Sequence, residues 1–225
     1  PPPPPPPPYF PAEHGIRDPE SCLVGSEMCI RDSAKRDYGA GFCMVNDIVV
    51  ALRKLQAENL IRTALVIDLD AHKGDGTAVL TQEDSSITTL SIHMARGWPL
   101  DGEAYDRQGR LNPSFIPSDI DIPVAAGEEH LYVAKLQDGL EKLVGIGPPD
   151  LAIVLAGSDP YEKDEQPSTG EQKLSLKQLK ERDLLVYHYL KNQRIPRAYV
   201  TAGGYGERSW EVDWQFIEWA LLDNI

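Results

Sequence analysis

The most informative segment of this sequence is Asp68-Leu69-Asp70-Ala71-His72-Lys73-Gly74-Asp75-Gly76-Thr77. It follows Thr63-Ala64-Leu65-Val66-Ile67, an apolar and partly β-branched run that predicts a buried strand. Residues two apart on an extended backbone point the same way, so Asp68, Asp70 and His72 share a face where the strand ends. Two carboxylates and an imidazole before a glycine-rich turn indicate half of a metal site. A polar strand-to-helix loop with a capping aspartate is the alternative.

Two further apolar runs end in residues with useful chemistry. Asp150–Ala156 precedes Gly157-Ser158-Asp159-Pro160, and Arg197–Thr201 precedes Ala202-Gly203-Gly204-Tyr205-Gly206. Each run is followed by a helical pattern, which predicts alternating strands and helices around a parallel sheet. Open α/β sheets bind ligands outside the carboxyl ends of their strands. We therefore expect all three strand ends to meet at one site.

Five sequence blocks together resemble the histone deacetylase family. This family lies within the arginase/deacetylase fold, with the acetoin-utilisation proteins and acetylpolyamine amidohydrolases. The blocks follow the family's order between Ala34 and the C-terminus, and they are GAGFCMVND (39–47), DLDAHKGDGT (68–77), LSIH (90–93), AGSDP (156–160) and AGGYG (202–206). The resemblance implies a three-layer α/β fold with a parallel sheet, incomplete at the N-terminus.

The resemblance also implies a metal site and catalytic residues. Carried over by position, Asp70, His72 and Asp159 match the family's three zinc (Zn²⁺) ligands, a number that leaves one position open for water or substrate. This oxygen-rich set does not exclude Fe²⁺. Tyr205 matches the tyrosine that stabilises the transition state. Asp68 and Asp75 match the carboxylates that orient the family's tandem histidines.

Substrate contacts and a second cation site follow from the same resemblance. Matches to residues that line the family's acyl-lysine tunnel fall on Gly41, Phe42 and Trp98, although an aromatic residue in a loop also serves simple packing. The pair Gly203-Gly204 allows the backbone to approach a ligand closely. Backbone groups around Asp68, Asp70 and His72, with Ser91 and Ile92, match a site for a structural monovalent cation such as K⁺.

The tandem histidines themselves are missing. In the family a His-His-Ala segment precedes the GFC block, and its alanine corresponds to Ala34, whereas Asp32 and Ser33 occupy the two preceding positions. Residues 21–33 have no family counterpart and resemble translated sequencing-adapter read-through, and Pro1–Pro8 is a polyproline tract. We expect residues 1–33 to be a non-native or disordered leader and 34–225 to be a partial deacetylase catalytic domain. The alternative is a naturally divergent, inactive homologue.

Composition limits the classes of partner. The chain has 22 Lys and Arg against 35 Asp and Glu, a net charge of −13, which argues against direct binding to nucleic acid or anionic membranes. It suits a cationic substrate, an acetylated lysine peptide or an acetylpolyamine. No apolar run is long enough to span a bilayer, and three cysteines give no disulfide framework. We expect a cytoplasmic protein.

These observations predict a zinc-dependent amidohydrolase that removes an acyl group from an acetylated lysine or polyamine amine through metal-activated water. Tyr205 would stabilise the oxyanion, and the chain as written would be impaired because its tandem histidines are absent. One alternative is a binuclear manganese ureohydrolase of the arginase type, which needs more metal-ligating carboxylates. Another is a non-catalytic module that binds acyl-lysine.

The remaining pattern predicts helices over 44–59, 127–144, 175–194 and 211–223, with Ser175 as an N-cap. Residues 94–117 are predicted to form a polar loop at the rim of the site, and 162–173 a charged loop whose first four residues are solvated. Lys73 stands where many members of the resembled family have a second histidine, which implies a variation at the rim. His93 is interpreted as a hydrogen-bonded residue beside the site and not as a ligand.

Overall fold

The computed structural model describes residues 22–25, 33–41 and 43–223, and at 22–25 and 223 it describes the backbone alone. Six parallel strands form a single sheet in the order β1-β6-β5-β2-β3-β4. Their bounds are β1 Cys22–Gly25, β2 Ala64–Asp68, β3 Ile87–Met94, β4 Ile120–Val124, β5 Leu151–Ala156 and β6 Arg197–Thr201.

Helices connect these strands, as the alternating pattern predicts. Their bounds are α1 Asp47–Ala57, α2 Asp75–Thr81, α3 Tyr132–Leu143, α4 Leu176–Asn192 and α5 Trp210–Asp223. Single turns of 3-10 helix occur at Pro113–Phe115, Glu129–Leu131 and Pro167–Thr169. Ser175 caps α4 in a reciprocal capping box with Gln178, which confirms the predicted N-cap.

Alternate residues of the central strand β2 face opposite layers. Leu65 and Ile67 pack with apolar residues of α3, α4 and α5 in the larger part of the core. Ala64 and Val66 face the other way, where they pack with residues of α1 such as Leu52. This period of two produces the three-layer arrangement, because both faces of a parallel sheet must be covered by helices.

Several elements differ from the sequence predictions. The helix predicted over 44–59 spans Asp47–Ala57, because Asn46 caps its N-terminus. The helix predicted over 127–144 begins only at Tyr132, because Glu129–Leu131 form a 3-10 turn before it. Strand β4 was not predicted. Its sequence, Ile-Asp-Ile-Pro-Val, contains a proline, which weakens a strand signal but is tolerated on an edge strand, and β4 lies at one edge of the sheet.

Strand β1 falls within the segment predicted to be a leader. Its four residues form the edge strand opposite β4 and pair in parallel with β6. Cys22–Gly25 was expected to belong to the leader, but here it is part of the sheet. An edge strand exposes unpaired backbone groups that a neighbouring extended segment can satisfy regardless of its origin. The division of the chain into leader and catalytic domain stays a prediction.

No helix within the parts of the chain that the structure describes combines the length and apolar content that a membrane span requires.

Candidate metal centre and active site

The topology brings the candidate residues to one end of the sheet. Strand β2 lies between β5 and β3: the chain continues from β2 to β3 and β4 on one side, and then returns to β5 and β6 on the other. Ligands of open α/β sheets bind at the carboxyl ends of the strands where the strand order reverses in this way. Asp68 at the end of β2 is in register with Leu155 of β5, and Ala156 of β5 is in register with Thr201 of β6. The residues that follow these three strands therefore converge.

Asp70, His72 and Asp159 form one buried cluster. Each offers one ligand atom, and these atoms all lie within 4.8 Å of one another. The Nδ1 atom of His72 lies 3.0 Å from an oxygen of Asp70 and 3.0 Å from an oxygen of Asp159. The side chains are at most 2% exposed. This is the arrangement predicted for the three metal ligands.

Burial and mutual repulsion set the protonation of the cluster. Burial and the neighbouring Asp70 raise the pKa of Asp159 to about 7 and that of Asp68 to about 8. Burial also opposes ionisation of Asp70, but its hydrogen bonds to His72 outweigh burial and lower its pKa. Burial alone would lower the pKa of His72, yet the hydrogen bonds to Asp159 and Asp70 raise it to about 10. The carboxylates thus hold a proton where a cation fits.

Backbone groups fix the two ligand carboxylates from outside the cluster. The amide of Ala71 donates to Asp159 Oδ1 at 2.9 Å, and the amide of Gly203 donates to Asp70 Oδ2 at 2.7 Å. A Cβ atom at Gly203 would lie 2.6 Å from Asp70 Oδ2 and would also overlap the Asp159 carboxylate, so only glycine fits there. Two preorganised carboxylates and one imidazole are a donor set that suits Zn²⁺ or Fe²⁺. The residues present therefore fit a divalent cation.

Asp68 lies behind the cluster and is not one of its ligands. Its Oδ1 accepts the backbone N–H of Asp70 at 3.1 Å, and its Oδ2 accepts the hydroxyl of Ser91 at 3.0 Å. Asp68 therefore holds the turn that carries Asp70. The monovalent-cation site expected around these backbone groups, with Ile92, stays a prediction.

Ser168 is a residue of this site that the sequence analysis missed. Its hydroxyl lies 2.9 Å from Nε2 of His72, so the serine fixes the ring while Nδ1 faces the carboxylates. It stands in the 3-10 turn Pro167–Thr169, 96 residues after His72. No local motif marks it, because serine is common in polar loops and only the fold brings this loop over the site.

Asp164 corrects the interpretation of the charged loop. The run Glu162–Glu165 was predicted to be solvated, but Asp164 is 8% exposed. Its Oδ2 accepts the backbone N–H groups of Tyr205 at 2.8 Å and Gly206 at 3.2 Å. Buried carboxylates that accept backbone bonds organise turns, and this one fixes the segment that carries the predicted catalytic tyrosine.

The predicted tunnel residues lie beside the metal cluster. The Trp98 ring meets the His72 ring edge-on, with centroids 5.5 Å apart. Gly41 has a φ of +56°, and a Cβ atom there would lie 2.6 Å from Trp98. Trp98 and Tyr205 pack on the same small apolar cluster, formed by Ala34 and Cys43. Phe42 lies outside the described residues. Gly204, which was predicted together with Gly203 to let the backbone approach a ligand, packs on the Ser158 side chain. A Cβ atom at this position would overlap that side chain.

Asp75 has partners other than imidazoles. Its Oδ2 accepts Lys35 Nζ at 2.5 Å and Ser114 Oγ at 2.6 Å, and its carboxylate is fully buried. Among the described residues, its Oδ1 has no hydrogen-bond partner, and the same holds for the buried hydroxyl of Ser33. Ser33 occupies the second position of the family's histidine pair and contacts Gly41 from that position. The site thus contains two buried polar atoms, Asp75 Oδ1 and Ser33 Oγ, for which the described residues supply no hydrogen-bond partner.

The prediction that Lys73 lies at the rim of the site is wrong. It is 3% exposed, and its Nζ lies 3.1 Å from Asp121 on β4. His93 lies 3.4 Å from the same carboxylate through Nε2 and 2.7 Å from the carbonyl of Met94 through Nδ1. The interpretation of His93 as a hydrogen-bonded residue is confirmed, and its exclusion from the ligand set stays a prediction. Lys73 is buried because β4, which was not predicted, supplies the carboxylate that pairs with it.

Comparisons with known proteins identify the family of this chain. The sequence profile of the histone deacetylase domain matches residues 33–221. An uncharacterized protein of Picosynechococcus sp. is 32% identical over 171 residues, which cover 76% of this chain and 52% of that protein. Histone deacetylase 2 of Arabidopsis thaliana is 28% identical over 77% of this chain and 42% of its own length. The chain thus spans about half the length of these relatives.

Solved structures support the fold. The acetylpolyamine aminohydrolase of Burkholderia pseudomallei superimposes with a TM-score of 0.70 at 21% identity, over 90% of this chain and 57% of that one. A histone deacetylase homologue complexed with the inhibitor SAHA gives a TM-score of 0.64 at 20% identity, over 85% and 48%. The expected arginase/deacetylase fold is confirmed. With its profile match over most of its length, the chain belongs to the histone deacetylase family.

Proposed function

We propose that this chain carries the metal centre of a zinc-dependent deacetylase that removes an acyl group from an acetylated lysine or polyamine amine. The observation that carries the proposal is the buried cluster of Asp70, His72 and Asp159, whose ligand atoms lie within 4.8 Å of one another. In the part of the chain that the structure describes, this is the single group with such spacing. A single-metal amidohydrolase is therefore favoured over a binuclear ureohydrolase.

The ligand residues supply geometry and charge. When bound, zinc supplies a Lewis acid that polarises the amide carbonyl and acidifies the attacking water. The two aspartates and the neutral imidazole would hold it in a buried position, and Ser168 and the amide of Gly203 keep His72 and Asp70 oriented. Fe²⁺ suits the same donors, and K⁺ at the backbone of Asp68 is part of the proposal.

Tyr205 is proposed to stabilise the oxyanion of the tetrahedral intermediate. It follows Gly203-Gly204, which packs directly on the carboxylate of Asp159 and on Ser158. Its backbone N–H is held by Asp164, so the position of the residue is fixed before substrate arrives. A preorganised hydroxyl donor at a developing negative charge contributes more to the transition state than to the ground state.

The substrate side chain is proposed to run along an apolar wall that Gly41 and Trp98 form together, because a Cβ atom at Gly41 would lie 2.6 Å from the Trp98 ring. The Trp98 ring lies edge-on to His72, which places this wall next to the metal cluster. Such a wall suits the methylene groups of a lysine or polyamine. The net charge of −13 favours a cationic carrier for the acyl group.

The chain as written is proposed to be impaired in catalysis. A general base for the water and an acid for the leaving amine are required, and the two positions that match the family's histidine pair hold Asp32 and Ser33. The nearby His93 is engaged by Met94 and Asp121. The repaired chain, defined as the double variant Asp32→His and Ser33→His, is designed to supply the missing imidazoles.

Metal analysis of the full chain tests the proposal. After loading and desalting, we expect one equivalent of zinc per chain by elemental analysis, and none in the Asp159→Asn variant. We also expect the zinc-loaded parent to bind an acetyl-lysine peptide more tightly than the same peptide without its acetyl group. A stoichiometry of two metal ions would support the ureohydrolase alternative.

The repaired chain separates the enzyme from the binding module. Peptide binding by the parent with no hydrolysis even in the repaired chain would favour a non-catalytic module. Absence of zinc from the parent under conditions in which it is folded would contradict the proposal.

A further inference from the structure

Arg182, on helix α4, is an arginine in the middle of the core. Its side chain is fully buried, and it is among the largest residues of the chain to be so. Its Nε donates to Asp183 Oδ1 at 2.8 Å, and Asp183 is itself 2% exposed. A buried ion pair is weak evidence for stability, because desolvation of the two charges offsets their attraction. The position therefore calls for another explanation.

The guanidinium of Arg182 connects the two strand ends that carry the metal ligands. One nitrogen, Nη1, donates to the carbonyl oxygen of Gly157 at 2.7 Å and to that of Leu69 at 3.1 Å. Leu69 immediately precedes Asp70, and Gly157 stands two residues before Asp159. A single donor group thus bridges the neighbouring strands β2 and β5 just past their last residues, Asp68 and Ala156.

Both carbonyls lie beyond the paired part of β2 and β5, where the hydrogen bonds of the sheet no longer fix the distance between these two segments. The ladder between β2 and β5 ends at the pair Asp68 and Leu155, with one further bond from Leu69 N to Leu155 O. Gly157 is also packed against the backbone of Asp70, since a Cβ atom there would lie 2.7 Å from Asp70 Cα. A rigid planar guanidinium can hold two oxygens at a fixed separation, which a flexible ammonium does less well.

We propose that Arg182 is a positioning residue that sets the distance between Asp70 and Asp159 and thereby the metal affinity of the site. The inference rests on the proposed function, because it assumes that these residues hold a metal ion. The hydrogen bonds of Arg182 go to Asp183, Leu69 and Gly157 and not to the ligand side chains. It acts through the backbone of Leu69 and Gly157, and its charge is balanced by Asp183.

The test compares metal affinity in the full chain and in the Arg182→Met variant, which keeps most of the side-chain length but has no donors. Zinc Kd is measured by competition with a chromophoric chelator, and Co²⁺ absorption in the visible range reports on ligand geometry. Loss of residues that orient metal ligands typically weakens affinity by about 10- to 100-fold. We expect a loss in this range for Arg182→Met, with altered Co²⁺ bands.

Two further variants separate positioning from general destabilisation. Leu190→Ala removes a fully buried side chain from the same helix, and it should lower the unfolding midpoint while zinc Kd and the Co²⁺ bands stay at parental values. Arg182→Lys keeps the charge without the planar fork, so we expect a zinc Kd between those of the parent and Arg182→Met. If Arg182→Met does not fold, the lysine variant carries the comparison.

The outcomes distinguish this inference from the function on which it rests. A parent chain that binds no zinc overturns the proposed function, and this inference with it. A parent that binds zinc, together with unchanged Kd and Co²⁺ bands in Arg182→Met or in Arg182→Lys, overturns the inference alone. An equal loss of affinity in Leu190→Ala overturns it as well, because the loss would then follow from destabilisation of the core.

Discussion

We predict that zinc affinity depends on pH, because a metal ion must displace a proton from His72. Without metal, the hydrogen bonds to Asp159 and Asp70 overcome burial and raise the pKa of His72 to about 10. A metal ligand must be deprotonated, so binding displaces this proton. At pH 7 the competition spans about three pH units, equivalent to roughly 4 kcal/mol of binding free energy. Zinc affinity should therefore fall as pH is lowered.

The change of zinc Kd with pH shows how many protons the metal displaces. Between pH 8 and pH 9, we expect the zinc Kd to weaken by about tenfold for each unit that the pH falls, since one proton is displaced. Below pH 7 the slope should become steeper, because Asp159, whose pKa is raised to about 7 by burial and by Asp70, then also carries a proton. Calorimetry in buffers of different ionisation enthalpy measures the released protons directly.

A control variant identifies the titrating group. His93→Gln changes a buried histidine that lies outside the ligand cluster, so it should leave the slope unchanged. A zinc Kd that is constant between pH 6.5 and pH 8.5 would refute the reasoning, and so would a slope that disappears in the His93 variant.

Three further predictions concern single side chains. Ser168→Ala removes the hydrogen bond to His72 Nε2, and it should weaken zinc binding by about 10-fold in chelator competition. Ser175→Ala removes the capping box of α4, and it should lower the free energy of unfolding by about 1 kcal/mol in urea titrations while zinc Kd is unchanged. Tyr205→Phe in the repaired chain should lower kcat by about 100-fold or more with little change in KM, because its hydrogen bond strengthens only as the oxyanion forms. An equal effect on KM would assign Tyr205 to substrate binding.

The sequence allowed the fold to be predicted where local patterns are strong. The apolar runs before Asp68, Gly157 and Ala202 are short, buried and followed by glycine-rich turns, so their strand character and parallel order followed directly. Strand β4 was not predicted because Pro123 weakens the strand pattern of its sequence. The edge position of β4 tolerates that proline.

The site was predictable only as far as its motifs extend. Asp70, His72 and Asp159 stand at strand ends, where spacing and topology together determine their convergence. Ser168 and Asp164 could not be found this way, because they act from a loop that only the folded chain brings over the cluster. Lys73 was misplaced for a related reason, since its burial depends on a carboxylate from an unpredicted strand.

We propose that this chain holds the metal centre of a deacetylase and lacks its acid–base pair. This proposal is tested by measuring kcat/KM for hydrolysis of an acetyl-lysine peptide by the zinc-loaded parent and by the repaired chain. General acid–base catalysis contributes about 10²- to 10⁴-fold, so the account predicts a rise in this range that is abolished by a chelator. Equal kcat/KM for the two chains, with substantial activity in the parent, would contradict it.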